Sequence, residues 1–147
     1  MAGAQETAEV KVMVNFSGTW KLEKSENFDE LLKAMGVGFI ARKAITGLKP
    51  EFTITQDENN FHIISKNRLQ SRESRFKVGE EFREKHPLKD DVNRLLVTWE
   101  GDTLVQTPLD EGTKERADKM TRSLEDGKMI IRTYKGDIVA TRTFVKS

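Results

Sequence analysis

The sequence predicts an all-β fold, in which ten short antiparallel strands form an up-and-down barrel closed at one end by a small helical lid. From residue 51 onward, short runs of alternating apolar and polar residues follow one another, separated by turns that contain Gly, Asp or Pro. One further alternating run, residues 16–22, precedes a segment with helical periodicity. An antiparallel sheet of ten strands curls, and closing it into a barrel removes its edges.

Composition favours one domain and excludes several kinds of site. The chain has 147 residues with 25 basic and 24 acidic side chains, so its net charge of +1 gives no argument for nucleic acid. It contains no cysteine, which excludes disulfides and thiolate sites. No stretch reaches the roughly 18 apolar residues of a membrane span, and the start of the chain lacks the pattern of a signal peptide. We expect a cytoplasmic protein with a flexible tail over residues 1–12 and a barrel domain over residues 13–147.

Two short helices are predicted between the first strand and the others. Asn27 with Glu30 predicts a capped start of the first helix, and Gly36 its end. The second helix is predicted over residues 38–46, and Gly47 ends it. The first helix carries one apolar stripe at i, i+3, i+4 and i+7: Phe28, Leu31, Leu32 and Met35.

The nine strands that follow the helices are short, and the connections between them suit a meander. Their predicted ranges are 52–56, 61–67, 72–78, 81–84, 94–99, 103–107, 116–124, 129–134 and 138–145.

The last three strands predict a site for an anion. Asp126-Gly127 and Lys135-Gly136-Asp137 are strong hairpin turns. Burying a guanidinium without a partner costs several kcal/mol, so two interior arginines would indicate a bound anion. The residues alone leave outward-facing, solvated arginines equally open. Alternation groups each arginine with two apolar neighbours: Met120, Arg122 and Leu124 in one strand, and Ala140, Arg142 and Phe144 in another.

The chain resembles the intracellular lipid-binding proteins, a family that includes the cytoplasmic fatty-acid-binding proteins and the cellular retinoid-binding proteins. The resemblance covers about residues 13–147, with the helix pair placed directly after the first strand. The motifs that carry it are Phe16-x-Gly18-Thr19-Trp20-Lys21-Leu22, residues 26–39 (ENFDELLKAMGVGF), Lys49-Pro50, Phe76-Lys77-Val78-Gly79-Glu80-Glu81-Phe82 and Thr141-Arg142-Thr143-Phe144.

The resemblance implies a β-clam barrel with a helix-turn-helix lid, and non-catalytic binding and intracellular transport of a long-chain fatty acid. In many members the carboxylate is held by an arginine on the eighth strand, matched by Arg122, and by an Arg-x-Tyr pair on the last, matched by Arg142. Phe144 stands where that tyrosine would be, so one donor is missing. A retinoid carrier of the same fold stays open as the alternative.

The resemblance also assigns residues to the cavity or to its portal, although plain core packing is the other interpretation of several of them. They are Phe28, Leu31, Leu32, Met35, Phe39, Leu69, Met120, Ile131 and Phe144.

Three basic residues on the helices, Lys33, Arg42 and Lys43, suggest transient docking to anionic membranes, where each basic residue near the surface contributes about 1 kcal/mol. A solvated helical face is the alternative, and some family members carry a nuclear-import signal here, so a nuclear location stays open. An interaction module that acts through the tail and this basic lid is a further alternative. The direction of Arg72 is left open.

No catalytic motif is present, so we predict that the protein is not an enzyme. His62 and His86 lack metal-ligand spacing, and the sequence contains no phosphate loop and no Gly-x-Ser-x-Gly elbow. An isomerase built in such a barrel would need an acid or base in the cavity. We predict a monomer with no cofactor, no metal and no nucleic-acid partner.

Overall fold

The computed structural model describes residues 14–85, 92–109 and 116–147. Ten strands form one antiparallel sheet in the order β4-β3-β2-β1-β10-β9-β8-β7-β6-β5. The first strand, β1, pairs with the last strand, β10. The fold is therefore the predicted ten-stranded barrel with two helices. The predicted tail (1–12) and His86 lie outside the described residues.

The elements agree with the prediction within four residues: the first strand extends to Glu26 and not to residue 22, and the eighth strand begins at Lys119 and not at residue 116. No helix in the described ranges is both long and apolar enough to cross a membrane. The elements are β1 (Gly18–Glu26), α1 (Phe28–Ala34), α2 (Phe39–Thr46), β2 (Glu51–Asp57), β3 (Asn60–Lys66), β4 (Ser71–Lys77), β5 (Phe82–Lys85), β6 (Val92–Glu100), β7 (Thr103–Pro108), β8 (Lys119–Glu125), β9 (Lys128–Lys135) and β10 (Ile138–Lys146).

The barrel is packed solid at the end away from the helices. Phe16 and Trp20 are fully buried there, and the indole N–H of Trp20 donates to the carbonyl of Phe16 at 2.8 Å. Phe61 stacks on Phe76 with ring centroids 5.1 Å apart, and Phe76 stacks on Phe82 at 4.9 Å. Offset aromatic pairs of this kind add about 0.5–1.5 kcal/mol each beyond the area they bury. This aromatic floor leaves the helical end of the barrel for a cavity.

The predicted side-chain cap of the first helix is wrong. Asn27 has φ 61° and makes no side-chain capping bond, because in this left-handed conformation its amide faces β10. There it donates to the carbonyl of Val139 at 3.3 Å, which ties the lid to the barrel. The helix does end where Gly36 predicted, and Gly36 takes the left-handed φ of 85° that glycine tolerates.

The two helices are joined by Arg42 of α2. Its Nε donates to Asp29 of α1 at 3.1 Å, and its Nη1 donates to the carbonyl of Val37 between the helices at 2.8 Å. These two bonds use Nε and Nη1 of the guanidinium, and the side chain is only 13% exposed. The helix-turn-helix is therefore held together by a charged pair as well as by its apolar stripe.

The two ends of the sheet, β4 and β5, are not paired through their backbones. Side chains bridge the gap instead: the Ser74 hydroxyl donates to the Glu84 carboxylate at 2.8 Å, and Arg72 donates to the carbonyl of Lys85 at 2.7 Å. The barrel is thus continuous in contact but interrupted in its hydrogen-bond ladder.

Candidate functional site

A cavity of about 430 Å³ lies between the helices and the barrel. That volume is within the usual range of small-molecule sites, about 300–1,000 Å³. Most of the surface of its wall is apolar, although about half of the lining residues are polar or charged. Of the residues predicted to line the cavity or its portal, the structure places these in its wall: Phe28, Leu31, Leu32, Met35 and Met120.

The other four predicted residues do not line the cavity. Phe39 and Leu69 are at the surface, 62% and 69% exposed, and their role at the portal stays a prediction. Ile131 and Phe144 belong to the packed core and not to the cavity wall, because neighbouring apolar side chains cover them. Phe144, for example, packs edge-on against Phe52 with ring centroids 5.1 Å apart.

Arg122 and Arg142 both lie in the cavity wall. In the ladder, Arg122 of β8 and Arg142 of β10 pair with the same residue of β9, Ile131. Directly paired residues point to the same face of a sheet, so the two side chains share the interior face. With strands about 4.7–4.9 Å apart, their Cα atoms are separated by about 10 Å, a distance that two long side chains can close onto one anion.

Removing the two charged guanidinium groups from water reduces the free energy of unfolding of the protein. Arg122 is only 9% exposed, and the Nε atoms of Arg122 and Arg142 have no hydrogen-bond partner among the described residues. Burial lowers the pKa of Arg122 to about 10, although the nearby Glu84 carboxylate partly opposes this shift. Burial also lowers the pKa of Arg142 to about 10. Both groups are still charged at neutral pH, so each is a cation with an unused donor in the wall of the cavity.

The lid contacts one of these cations directly. The guanidinium carbon of Arg142 lies 4.0 Å from the centroid of the Phe28 ring, at the first residue of α1. A cation over a ring face at this distance is attracted by the π electrons, by about 0.5–2 kcal/mol depending on how dry the site is. The position of Arg142 is therefore linked to that of the lid.

Arg72, whose direction the sequence left open, lies in the cavity wall. The sequence analysis did not identify many of the other polar lining residues, among them Ser74, Glu84 and Asn93. Alternation could have found Asn93, because it shares a face of β6 with the buried Leu95 and Val97.

The basic residues of the lid do not form one uniform exposed cluster. Arg42 is committed to the contact between the helices, as described above. Lys33 and Lys43 are exposed, and Lys43 lies over the Phe39 ring at 5.5 Å. Docking to a membrane stays a prediction, and it now depends on Lys33 and Lys43 because Arg42 is bonded within the lid.

The described histidine does not form a metal site. His62 is paired with Glu73 on the neighbouring strand. Within residues 14–85, 92–109 and 116–147, no three side chains of the His, Cys, Asp or Glu types are grouped in a way that could hold a metal ion.

Two relatives of the chain are named for retinoic acid, which is a carboxylic acid. Human cellular retinoic acid-binding protein 1 is 39% identical over 140 residues, covering 91% of this chain and 99% of that protein. Mouse cellular retinoic acid-binding protein 2 is 36% identical over 138 residues, with the same coverage.

Solved structures of similar shape include one named a lipid binding protein and one named a fatty acid transporter. Human cRBP IV has a TM-score of 0.81 at 30% identity, covering 91% of this chain and 99% of that one. The apo form of Caenorhabditis elegans lipid binding protein 8 gives 0.81 at 32%, covering 92% and 100%. REP1-NXSQ fatty acid transporter gives 0.79 at 28%, covering 89% and 95%.

The family model that matches the chain describes the lipocalin / cytosolic fatty-acid binding protein family, and the match extends over residues 17–143. This range includes the first strand, both helices and Arg142 of the last strand. The chain belongs to the lipocalin / cytosolic fatty-acid binding protein family.

Proposed function

We propose that the protein is a non-catalytic cytoplasmic carrier of a long-chain fatty acid, with the ligand carboxylate at Arg122 and Arg142 and the acyl chain in the cavity. One observation carries the proposal: the buried Arg122 and the half-buried Arg142, whose Nε atoms have no partner among the described residues, line one cavity together with many apolar side chains.

The two parts of such a ligand have different roles in binding. Each methylene moved from water into the cavity contributes about 0.8 kcal/mol, so a long acyl chain supplies most of the affinity. The carboxylate fixes the orientation, because charge-assisted bonds from a guanidinium are directional and strong. It also removes the cost of keeping Arg122 and Arg142 without a counter-ion.

Phe144 supports a larger role for Arg122 than for Arg142. A phenylalanine cannot donate a hydrogen bond, and here its ring is buried in the core beside Phe52. Arg142 is shared with the Phe28 ring, whereas no ring contact involves Arg122 in the described part of the chain. Arg122 is therefore the better candidate for the dominant carboxylate contact.

Retinoic acid is the second candidate ligand. It is also a hydrophobic carboxylate, and relatives that are 36–39% identical to this chain are named for it. Because the same arginines would serve either ligand, the site chemistry alone does not separate the two.

Displacement of a fluorescent lipid from the delipidated protein tests both proposals. We expect Arg122→Leu to weaken binding of oleate and retinoate at least about 10-fold, the size of one charge-assisted bond. Arg132→Leu is the matched control, because Arg132 faces outward and pairs with Glu125 at 2.9 Å. The ratio of the oleate and retinoate dissociation constants of the parent decides between the ligands. Binding of both carboxylates by Arg122→Leu as tightly as by the parent would remove the basis of the proposal.

We also propose that the exposed Lys33 and Lys43 allow transient docking to anionic membranes during ligand transfer. The attraction would be electrostatic and therefore screened by salt. Transfer of a fluorescent fatty acid to vesicles is the measurement, and a rate that is independent of both vesicle charge and these two lysines would contradict docking.

A further inference from the structure

A second polar group lies in the cavity wall, on β4, β5 and β6. It consists of Ser74, Glu84 and Asn93, which we call the acceptor subsite. The Ser74 hydroxyl donates to Glu84 Oε2 at 2.8 Å across the gap in the sheet. Glu84 is the ladder partner of Asn93, and directly opposed residues bring their Cβ atoms within about 4.5–5.5 Å of each other. The three side chains therefore form one local cluster.

Asn93 is the unsatisfied member of the acceptor subsite. It is 8% exposed, and its Oδ1 is buried with no hydrogen-bond partner among the described residues. A buried polar atom without a partner destabilises the folded protein, and such atoms are rare in native structures. An asparagine at an inward position between apolar neighbours is thus unexplained by packing and consistent with recognition of a polar group.

The charges around the subsite restrict what it can bind. A second carboxylate on the ligand would face the carboxylate of Glu84. An ammonium group would enter a cavity whose wall already holds Arg72, Arg122 and Arg142. A neutral hydroxyl avoids both repulsions, and because it can donate and accept, it suits an amide in either orientation.

The acceptor subsite and the carboxylate site lie close enough for one ligand to reach both. The two sites belong to the wall of the same cavity. The charge of Glu84 also acts on Arg122 and favours its charged form, which places the two within electrostatic range.

We propose that the ligand is a hydroxylated long-chain carboxylate, with its carboxylate at Arg122 and Arg142 and its hydroxyl hydrogen-bonded to Asn93 and Glu84. The inference rests on the proposed function, since the carboxylate must first be held by the arginines. It adds a class of ligand to the proposed function, namely fatty acids that carry a hydroxyl group on the chain.

The test compares stearate with a series of monohydroxystearates that carry the hydroxyl at successive chain positions, on the delipidated full-length protein. We expect at least one isomer to bind roughly 3- to 10-fold tighter than stearate, the effect of one additional satisfied hydrogen bond. Asn93→Leu, and independently Asn93→Val, should abolish that preference, which is measured in each protein as the ratio of its stearate and hydroxystearate dissociation constants. Thr133→Val, which removes a hydroxyl from the wall of the same cavity on β9, should keep the preference.

The outcomes separate this inference from the proposed function. If no hydroxystearate binds better than stearate to the parent, a buried water satisfies Asn93 and the inference is overturned. A preference that persists in both Asn93 variants also overturns it. In either case the carrier proposal stands as long as Arg122→Leu weakens stearate binding, and it falls independently if that variant binds stearate normally.

Discussion

At the scale of single residues, burying the Arg122 guanidinium destabilises the ligand-free protein, whereas the proposed carboxylate would offset that cost. The residue is 9% exposed, and burial lowers the pKa of its guanidinium from the ordinary value to about 10. A lowered arginine pKa means that the folded state disfavours the charged form. Below pH about 10, where the group is charged in both the folded and the unfolded chain, the full cost of burying this charge is present.

Arg122→Leu should therefore stabilise the ligand-free protein while it weakens carboxylate binding. We expect the free energy of unfolding at neutral pH to rise by about 1–3 kcal/mol, since one pKa unit corresponds to about 1.4 kcal/mol and loss of the attraction between Arg122 and Glu84 offsets part of the gain. Urea denaturation of the delipidated protein measures it. Arg132→Leu should show no such gain because Arg132 is paired and faces outward. A destabilised Arg122→Leu protein would mean that the guanidinium is well satisfied when the cavity is empty.

At the scale of elements, the lid depends on one side chain more than its apolar pattern indicates. The helical periodicity predicts one apolar stripe on α1, and this stripe faces the cavity: Phe28, Leu31, Leu32 and Met35. The link between α1 and α2, however, is the guanidinium of Arg42, bonded to Asp29 and to the carbonyl of Val37. The helices are seven and eight residues long, too short to be stable by themselves, so this link helps to hold both in place.

Arg42→Met should loosen the lid and speed ligand release. The substitution keeps an apolar stem but removes two hydrogen bonds, one of them to a carboxylate, so we expect a loss of about 1–2 kcal/mol in the free energy of unfolding. The dissociation rate of oleate, followed by stopped-flow fluorescence, should rise together with it. Lys43→Met is the control because Lys43 is exposed and makes no ion pair among the described residues. Equal release rates in Arg42→Met and the parent would show that this link does not restrain the lid.

At the scale of the whole molecule, the backbone hydrogen-bond ladder passes through all ten strands and is interrupted only between β4 and β5 in the described part of the chain. The interruption is bridged by the bond from Ser74 to Glu84 and by the bond from Arg72 to the carbonyl of Lys85. Two side-chain bonds cannot replace a backbone ladder, so local opening should begin at this gap.

Hydrogen exchange should follow this asymmetry. We expect the amides of β5 and of the β4 edge to exchange well before those of β9, which has a paired strand on each side. Exchange of the delipidated protein, read by mass spectrometry of peptides, measures the order. Uniform protection of β4, β5 and β9 would show that the gap is closed as firmly as a backbone ladder.

Much of this architecture follows from the sequence because alternation assigns each strand residue to a face. It predicted ten strands and grouped Arg122 and Arg142 with apolar neighbours, whereas the resemblance to the lipid-binding family was needed to assign that face to the interior. Alternation says nothing about depth along the barrel axis, and for this reason Ile131 and Phe144 were assigned to the cavity although they lie in the core. The conformation of Asn27 and the partners of Arg42 depend on tertiary contacts with Val139 and Asp29, which no local pattern contains. Asn93 was visible in the pattern of β6, but its missing partner is evident only once its neighbours are known.

The contact between Arg142 and Phe28 makes the lid and the carboxylate site thermodynamically linked. A carboxylate that draws the guanidinium toward itself changes the free energy of its contact with the ring, and with it the equilibrium between positions of α1. By reciprocity, anything that displaces α1, including a surface that binds the lid, must change carboxylate affinity by the same coupling free energy. Through this one contact between a cation and an aromatic ring, the position of α1 at the surface and the occupancy of the cavity would depend on each other.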